Sequence, residues 1–278
     1  MKKLIDGLTK FQSGYFKSHK ELFEELSHGQ KPRILFITCS DSRIDPNLIT
    51  QAEIGELFVI RNAGNIIPPF GATNGGEGGA VEYAIHHLDI EQIIVCGHSH
   101  CGAMKGLLHL ESLAEEMPLV YEWLKQAEAT RRVVKDNYAE YEGLELLELT
   151  VAENVLNQLE NLHTYPVIRS KVRQGKLALH GWIYRIESGE VLSYDPASHD
   201  FVFPHSRLII PEHEYNLHRN NFIVTHFPFT VEHESESTPT PTAPPRVKEE
   251  YSDNHHLPVG SHMTLEQKKR IYQGSNGR

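Results

Sequence analysis

The sequence predicts an α/β fold: a mostly parallel β-sheet flanked by helices, with amino-terminal helices before it and a carboxyl-terminal extension after it. Three observations point there. Short apolar runs of strand length recur at 34–37 (Ile-Leu-Phe-Ile), 57–60 (Leu-Phe-Val-Ile) and 93–96 (Ile-Ile-Val-Cys). Stretches with helical spacing separate and follow them. The runs are continuously apolar rather than alternating, as strands covered on both faces are.

In chain order, residues 4–26 read as one or two helices, with Leu4, Leu8, Phe11, Tyr15, Leu22 and Phe23 on a shared apolar stripe. The first two strands follow, and a glycine-rich stretch then leads into helical periodicity over 77–88. After the third strand come helical patterns over 119–134 and 144–162. Residues 177–194 read as a hairpin, 182–186 and 190–194, around Ser188-Gly189. Beyond Arg207 the pattern fades. The segment around Ser-Thr-Pro-Thr-Pro-Thr-Ala-Pro-Pro is too poor in apolar residues to fold. The expected organisation is a catalytic domain over 1–207, an extension over 208–231, a flexible proline-rich linker over 232–260 and a terminal peptide over 261–278.

Composition narrows the function. A formal net charge of −10 argues against nucleic acid as a partner, because phosphate recognition needs a basic surface. No apolar run approaches the roughly 18 residues that a bilayer span requires, and the polar start does not read as a signal peptide. Three cysteines are too few for a disulfide framework, which implies a reducing, cytoplasmic setting.

Cys39 directly follows the first strand, and His98 and Cys101 directly follow the third. Parallel sheets collect ligands at the carboxyl ends of their strands, so both segments deliver side chains to one edge. Two thiolates and an imidazole are preferred zinc donors and leave a fourth tetrahedral position open, the mark of a catalytic zinc site. A helix starting at Gly102 is expected to lower the Cys101 pKa. Cys96 reads as a packed core thiol, with a four-ligand structural site including it as the rival.

Cys39-Ser-Asp-Ser-Arg43, then Arg61-Asn-Ala-Gly-Asn65, then Gly97-His-Ser-His-Cys-Gly102 resemble the β-class carbonic anhydrases across residues 1 to about 207. The resemblance implies Zn2+ on Cys39, His98 and Cys101, with Asp41 and Arg43 as a dyad beside it. It implies reversible hydration of CO2 to bicarbonate by zinc-bound hydroxide. Gln30, Phe58 and Tyr83 fall on the positions that line the family's CO2 pocket. The family builds each site across a dimer interface, so a homodimer or higher oligomer is implied, some of these residues coming from the neighbouring chain. His87 falls on a proton-shuttle position; it stands one helical turn from Tyr83, and histidine titrates in the range such a shuttle needs.

The ending Glu266-Gln-Lys-Lys-Arg-Ile-Tyr-Gln-Gly-Ser275 resembles that of the carboxysomal members in cyanobacteria. That resemblance implies cytoplasmic location within the carboxysome, CO2 supply to Rubisco, and binding of a carboxysome scaffold protein through the terminal peptide. The helical pattern over 264–272, with a capping box at Thr264 and Gln267, suits a segment that folds on its partner. A hydrolase of a CO2-like substrate such as carbon disulfide and a non-catalytic carboxysome adaptor are the alternatives.

Overall fold

The computed structural model describes residues 1–72 and 75–203. The chain forms two units, Met1–Glu190 and Val191–Arg278. The extension, linker and terminal helical segment expected beyond 207 lie outside the described residues.

In the first unit four strands pair in parallel in the order β2-β1-β3-β4: β1 (Ile34–Cys39), β2 (Leu57–Asn62), β3 (Gln92–His98) and β4 (Ala178–Tyr184). β1 and β3 are the central pair and are buried along nearly their whole length, whereas edge strand β2 is half exposed. This explains why the two central strands read as unbroken apolar runs. The register sets Cys39 beside Asn62, Thr38 beside Cys96 and His98 beside Tyr184. The carboxyl ends of β1 and β3 therefore share one edge.

Before the sheet, α1 (Lys2–Lys10), a π-helical turn (Phe11–Tyr15), α2 (Phe16–Ser18) and α3 (Lys20–Ser27) form an arm with no buried residue. Phe23 gathers Phe11 and Phe16 around it, with ring centroids 5.8 and 5.0 Å away. After β1 come α4 (Pro46–Thr50) and then, between β2 and β3, α5 (Gly76–His86). Beyond β3 run α6 (Gly102–Leu108), α7 (Leu113–Glu116), α8 (Pro118–Leu124), α9 (Glu128–Asn137), α10 (Gly143–Thr164) and α11 (Pro166–Arg173). The single helix expected over 119–134 is broken by a 3-10 turn at Lys125–Ala127, which lets both Leu124 and Ala127 reach the core.

α10 is the principal packing helix and lies across β3 and β4. Gly97 permits this approach, since a Cβ there would stand 2.8 Å from Val155 Cγ2 and 2.9 Å from Val151 Cγ1. The expected strand over 182–186 starts earlier, at Ala178, and runs parallel to β3. The turn at Ser188-Gly189 is present, closed by the Gly189 N–H donating to the Arg185 carbonyl at 2.8 Å. In the second unit β5 (Val191–Asp195) pairs antiparallel with β6 (Asp200–Val202), a strand the sequence did not announce. No helix among the described residues is long and apolar enough to cross a membrane.

Candidate metal centre

Two strand ends and one helix start build the site. Cys39 closes β1, His98 closes β3, and Cys101 is the cap of α6. Their ligand atoms all lie within 4.8 Å of one another, and the three residues are at most 5% exposed. Cys96 points elsewhere: it packs with Phe36 and Ile94 against Trp182 and Tyr184, and burial pushes its thiol up to about 12. A site drawing on all three cysteines is not assembled among the described residues.

The donor set fits a tetrahedral divalent ion of the zinc type. His98 Nδ1 donates to the Ser99 carbonyl at 2.9 Å, which leaves Nε2 as the free lone pair. That buried Nε2 finds no hydrogen-bond partner among the described residues, an arrangement that costs stability unless a ligand takes it. The two sulfurs share the proton problem of a close pair. The hydrogen bond from Cys101 favours the thiolate on Cys39, helped by the Gly64 N–H and against the opposing pull of burial. Cys101 is pushed up in turn by its bond to Cys39 and by burial, against the amides of Met104 and Ala103 at the start of α6. The lowering expected from that helix start is thus outweighed by the neighbouring sulfur.

Asp41 and Arg43 stand beside this ring. Arg43 Nε and Nη2 donate to Asp41 Oδ1 and Oδ2 at 2.9 and 2.8 Å, a two-pronged pair, and the Arg43 N–H adds a third bond at 3.0 Å. The guanidinium holds the Asp41 carboxyl well below the usual carboxylate range, against the opposing pull of burial. Asp41 Oδ2 lies 4.0 Å from His98 Nε2, next to the ring but turned to the arginine.

Several supporting groups carried no signal of their own in the sequence. Arg61 donates to the carbonyls of Cys39 at 3.0 Å and Asp41 at 2.7 Å, fixing the loop between them. The Ser99 hydroxyl donates to Glu187 Oε2 at 2.7 Å and accepts from the Ile186 N–H at 2.9 Å, tying the metal-ligand loop to the end of β4. Glu187 lies 88 residues from Ser99, so no spacing rule could have paired them.

The pocket and shuttle residues gather elsewhere in the chain. Phe58 and Tyr83 pack with ring centroids 6.0 Å apart, and His87 stacks on Tyr83 at 4.8 Å. Gln30 is exposed ahead of β1. Phe58 pairs with Leu35, whereas Cys39 pairs with Asn62. Four residues of strand, about 13 Å, therefore separate Phe58 from the level of the metal ligands. Within one chain the Phe58–Tyr83–His87 group and the Cys39–His98–Cys101 ring are distinct clusters.

Comparison with known proteins follows the same outline. A family model described as carbonic anhydrase matches residues 34–191. A carbonic anhydrase of Synechocystis sp. is 59% identical over 99% of this chain and 100% of its own length. One from Synechococcus elongatus is 66% identical over 72% of this chain and 74% of its own. The solved structure of the β-carbonic anhydrase CcaA superposes with a TM-score of 0.73 at 70% identity, covering 73% of this chain and 99% of that one. A tetrameric β-carbonic anhydrase from Sordaria macrospora gives a TM-score of 0.62 at 27% identity, over 69% and 94% of the two chains.

Proposed function

This chain belongs to the β-class carbonic anhydrases, enzymes that interconvert CO2 and bicarbonate, and on that premise we propose that its catalytic metal is zinc held by Cys39, His98 and Cys101. The observation that carries this reading is the buried ring of two sulfurs and an orphaned imidazole nitrogen, with the Asp41–Arg43 pair at its rim. Zinc in such a site supplies a Lewis acid that makes water a nucleophile at working pH, as is general for carbonic anhydrases.

The protein's own groups do the rest. Arg43 keeps Asp41 ionised and turned from the ring, so the carboxylate would leave a metal held there accessible to water. Asp41 Oδ1 accepts two bonds from Arg43, whereas Oδ2 accepts one and retains a lone pair. Asp41 uses that lone pair to accept the hydrogen of the reacting water, which aims the water's own lone pair at carbon. Phe58 and Tyr83 form an apolar wall suited to a nonpolar gas, with Gln30 donating its amide to a CO2 oxygen. Since Phe58 lies about four residues down its strand from the ligand level, these groups serve the ring of a second copy. The apolar face of the amino-terminal arm, with Leu4 66% and Leu8 65% exposed, supplies the surface for that homodimer or larger assembly. His87, exposed at the end of α5, carries the product proton to buffer from its ring nitrogen.

Zinc-loaded protein should exchange CO2 with bicarbonate. Asp41→Asn should keep its zinc yet lose about a hundredfold or more in rate, because the amide cannot orient water as the carboxylate does. A variant that keeps both zinc and wild-type exchange would show the pair to be structural.

The physiological reading places the enzyme in the cytoplasm, within the carboxysome, supplying CO2 to Rubisco. Its support is the resemblance of the terminal sequence 266–275 and the full-length likeness to a cyanobacterial relative. In this reading 1–207 is the catalytic domain, 208–231 an extension, 232–260 a linker and 261–278 the peptide that binds the scaffold protein. Removing 261–278 should abolish scaffold binding while CO2 hydration stays intact. Full-affinity binding by the shortened chain would move the docking site onto the catalytic domain.

A further inference from the structure

The sulfur of Cys39 accepts a hydrogen bond from the Gly64 N–H at 3.4 Å, and the peptides on both sides of that residue are held by side chains from elsewhere in the chain. Gly64 follows β2 with φ +84°, a conformation that favours glycine, and a Cβ there would stand 2.8 Å from Met104 Cε and 3.1 Å from Ala103 Cβ. The peptide that bears the Gly64 N–H ends, on its other side, in the Ala63 carbonyl. That oxygen accepts from the indole Nε1 of Trp123 on α8 at 2.8 Å. A push on one end of this planar unit is felt at the other, so the indole sets the direction in which the N–H points.

The next peptide is held from α10. Asn154 Nδ2 donates to the Gly64 carbonyl at 2.9 Å, and its amide cannot be turned the other way. The Ile67 N–H donates to Gln158 Oε1 at 2.9 Å, which commits Gln158 Nε2 as the donor to Asn154 Oδ1, also at 2.9 Å. That in turn commits Asn154 Nδ2 to Gly64. Asn154 and Gln158 are completely buried and one helical turn apart. The chain of donors thus runs in one sense, from a backbone amide at Ile67 to the carbonyl of Gly64.

We propose that Trp123 and Asn154 are positioning residues for the metal centre, clamping the two peptides of Gly64 so that its N–H is aimed at the Cys39 sulfur. The clamp fixes where that sulfur sits and offsets part of its charge when it serves as a ligand. Outer groups of this kind orient ligands, and their loss costs roughly tenfold to a hundredfold in metal affinity. The inference rests on the assignment of Cys39 as a zinc ligand.

The test measures zinc dissociation by chelator competition, together with the sulfur-to-metal charge-transfer band of the cobalt(II)-loaded protein. Trp123→Phe keeps an aromatic ring and removes only the donor; it should weaken zinc about tenfold and shift the band. Asn154→Asp keeps the side-chain shape and sets a carboxylate against the Gly64 carbonyl; it should weaken zinc by up to about a hundredfold. Asn161→Ala removes a comparable bond to the same loop, from Asn161 Nδ2 to the Ile67 carbonyl at 3.0 Å, and a longer one to Gln158 Oε1 at 3.2 Å; the Ile67 N–H still holds that oxygen, and every bond to Gly64 stays. It should leave both readouts as in wild type. Wild-type affinity and an unshifted band in both Trp123→Phe and Asn154→Asp would overturn the proposal. So would an equal loss in Asn161→Ala, which would mark a general loosening of the loop. Should Asn154→Asp fail to fold, Trp123→Phe decides alone. Cys39→Ala measured alongside separates the two levels: zinc retained there removes the ligand assignment, whereas zinc lost there but unaffected by both clamp variants removes only the clamp.

Discussion

The metal ring and the amino-terminal arm are built on opposite terms. At the ring, every approach is overdetermined: Cys39 is held by its strand, by Arg61 on its carbonyl and by the Gly64 amide on its sulfur. His98 is locked through Nδ1, and Asp41 through three bonds from Arg43. In the arm no residue is buried, and Leu4, Leu8, Phe11 and Phe16 present their side chains to solvent. Both segments are rich in apolar or ligand-type residues, so composition does not distinguish them. What differs is whether one chain can satisfy its own groups. The ring can hold its geometry alone; in the function proposed here, the arm and the Phe58–Tyr83 wall await a second copy.

The largest effect should come from breaking the ring. Cys39→Ala, His98→Ala and Cys101→Ala are each expected to lose zinc and with it essentially all CO2 hydration, read by metal analysis and exchange assay. Cys96→Ser should retain one zinc per chain, because that thiol packs with Phe36 and Ile94 away from the ligand atoms. Loss of metal in Cys96→Ser would place a third sulfur in the site.

Breaking the arm should give the reverse pattern, with zinc kept and assembly lost. Leu4→Lys and Leu8→Lys each remove a leucine from both copies of the proposed dimer; at about 2 kcal/mol of burial per leucine the loss is roughly a thousandfold in the dimer dissociation constant. Sedimentation should show dissociation at concentrations where the wild type stays associated, and exchange activity should fall with it. Charged arms that leave the assembly state unchanged would mean that the arm is not the interface.

The same contrast decides what could be read from sequence. The runs at 34–37, 57–60 and 93–96 lie inside β1, β2 and β3; burial on both faces explains the central pair β1 and β3, whereas the edge strand β2 keeps its apolar run while half exposed. His98 and Cys101 were legible because short spacing at a strand end carries its own geometry. The start of β4 was misplaced by four residues, since His180 and Gly181 interrupt its apolar run and only Gly181 and Ile183 along it are buried. The clamp on Gly64 left no trace at all: Trp123 reaches back 60 residues to Ala63, and Asn154 reaches back 90 to Gly64. Side chains that hold a backbone peptide across such distances obey no local period. They are visible only once the loop and the helices α8 and α10 are in place.

The smallest expected effect concerns a buried acid on α10 that is no part of the ring. Glu153, on α10, is 5% exposed and receives the Tyr138 hydroxyl on Oε1 at 2.7 Å. Burial raises its pKa despite that bond, and its charge in turn helps raise Glu160, whose burial is the larger cause. For an acid raised on folding, the favourable contribution is complete below the ordinary carboxylate range and is lost as pH rises through the folded value. Glu153→Gln keeps the shape, can still accept from Tyr138, and removes the charge that burial penalises. Its gain in thermal stability should therefore be larger at pH 8 than at pH 5, and modest at under about 1 kcal/mol. Zinc content should not change, because Glu153 contributes nothing to the ligand set. A gain independent of pH would trace to packing instead, and a loss of stability at pH 8 would show that the charged form is stabilised by groups other than Tyr138.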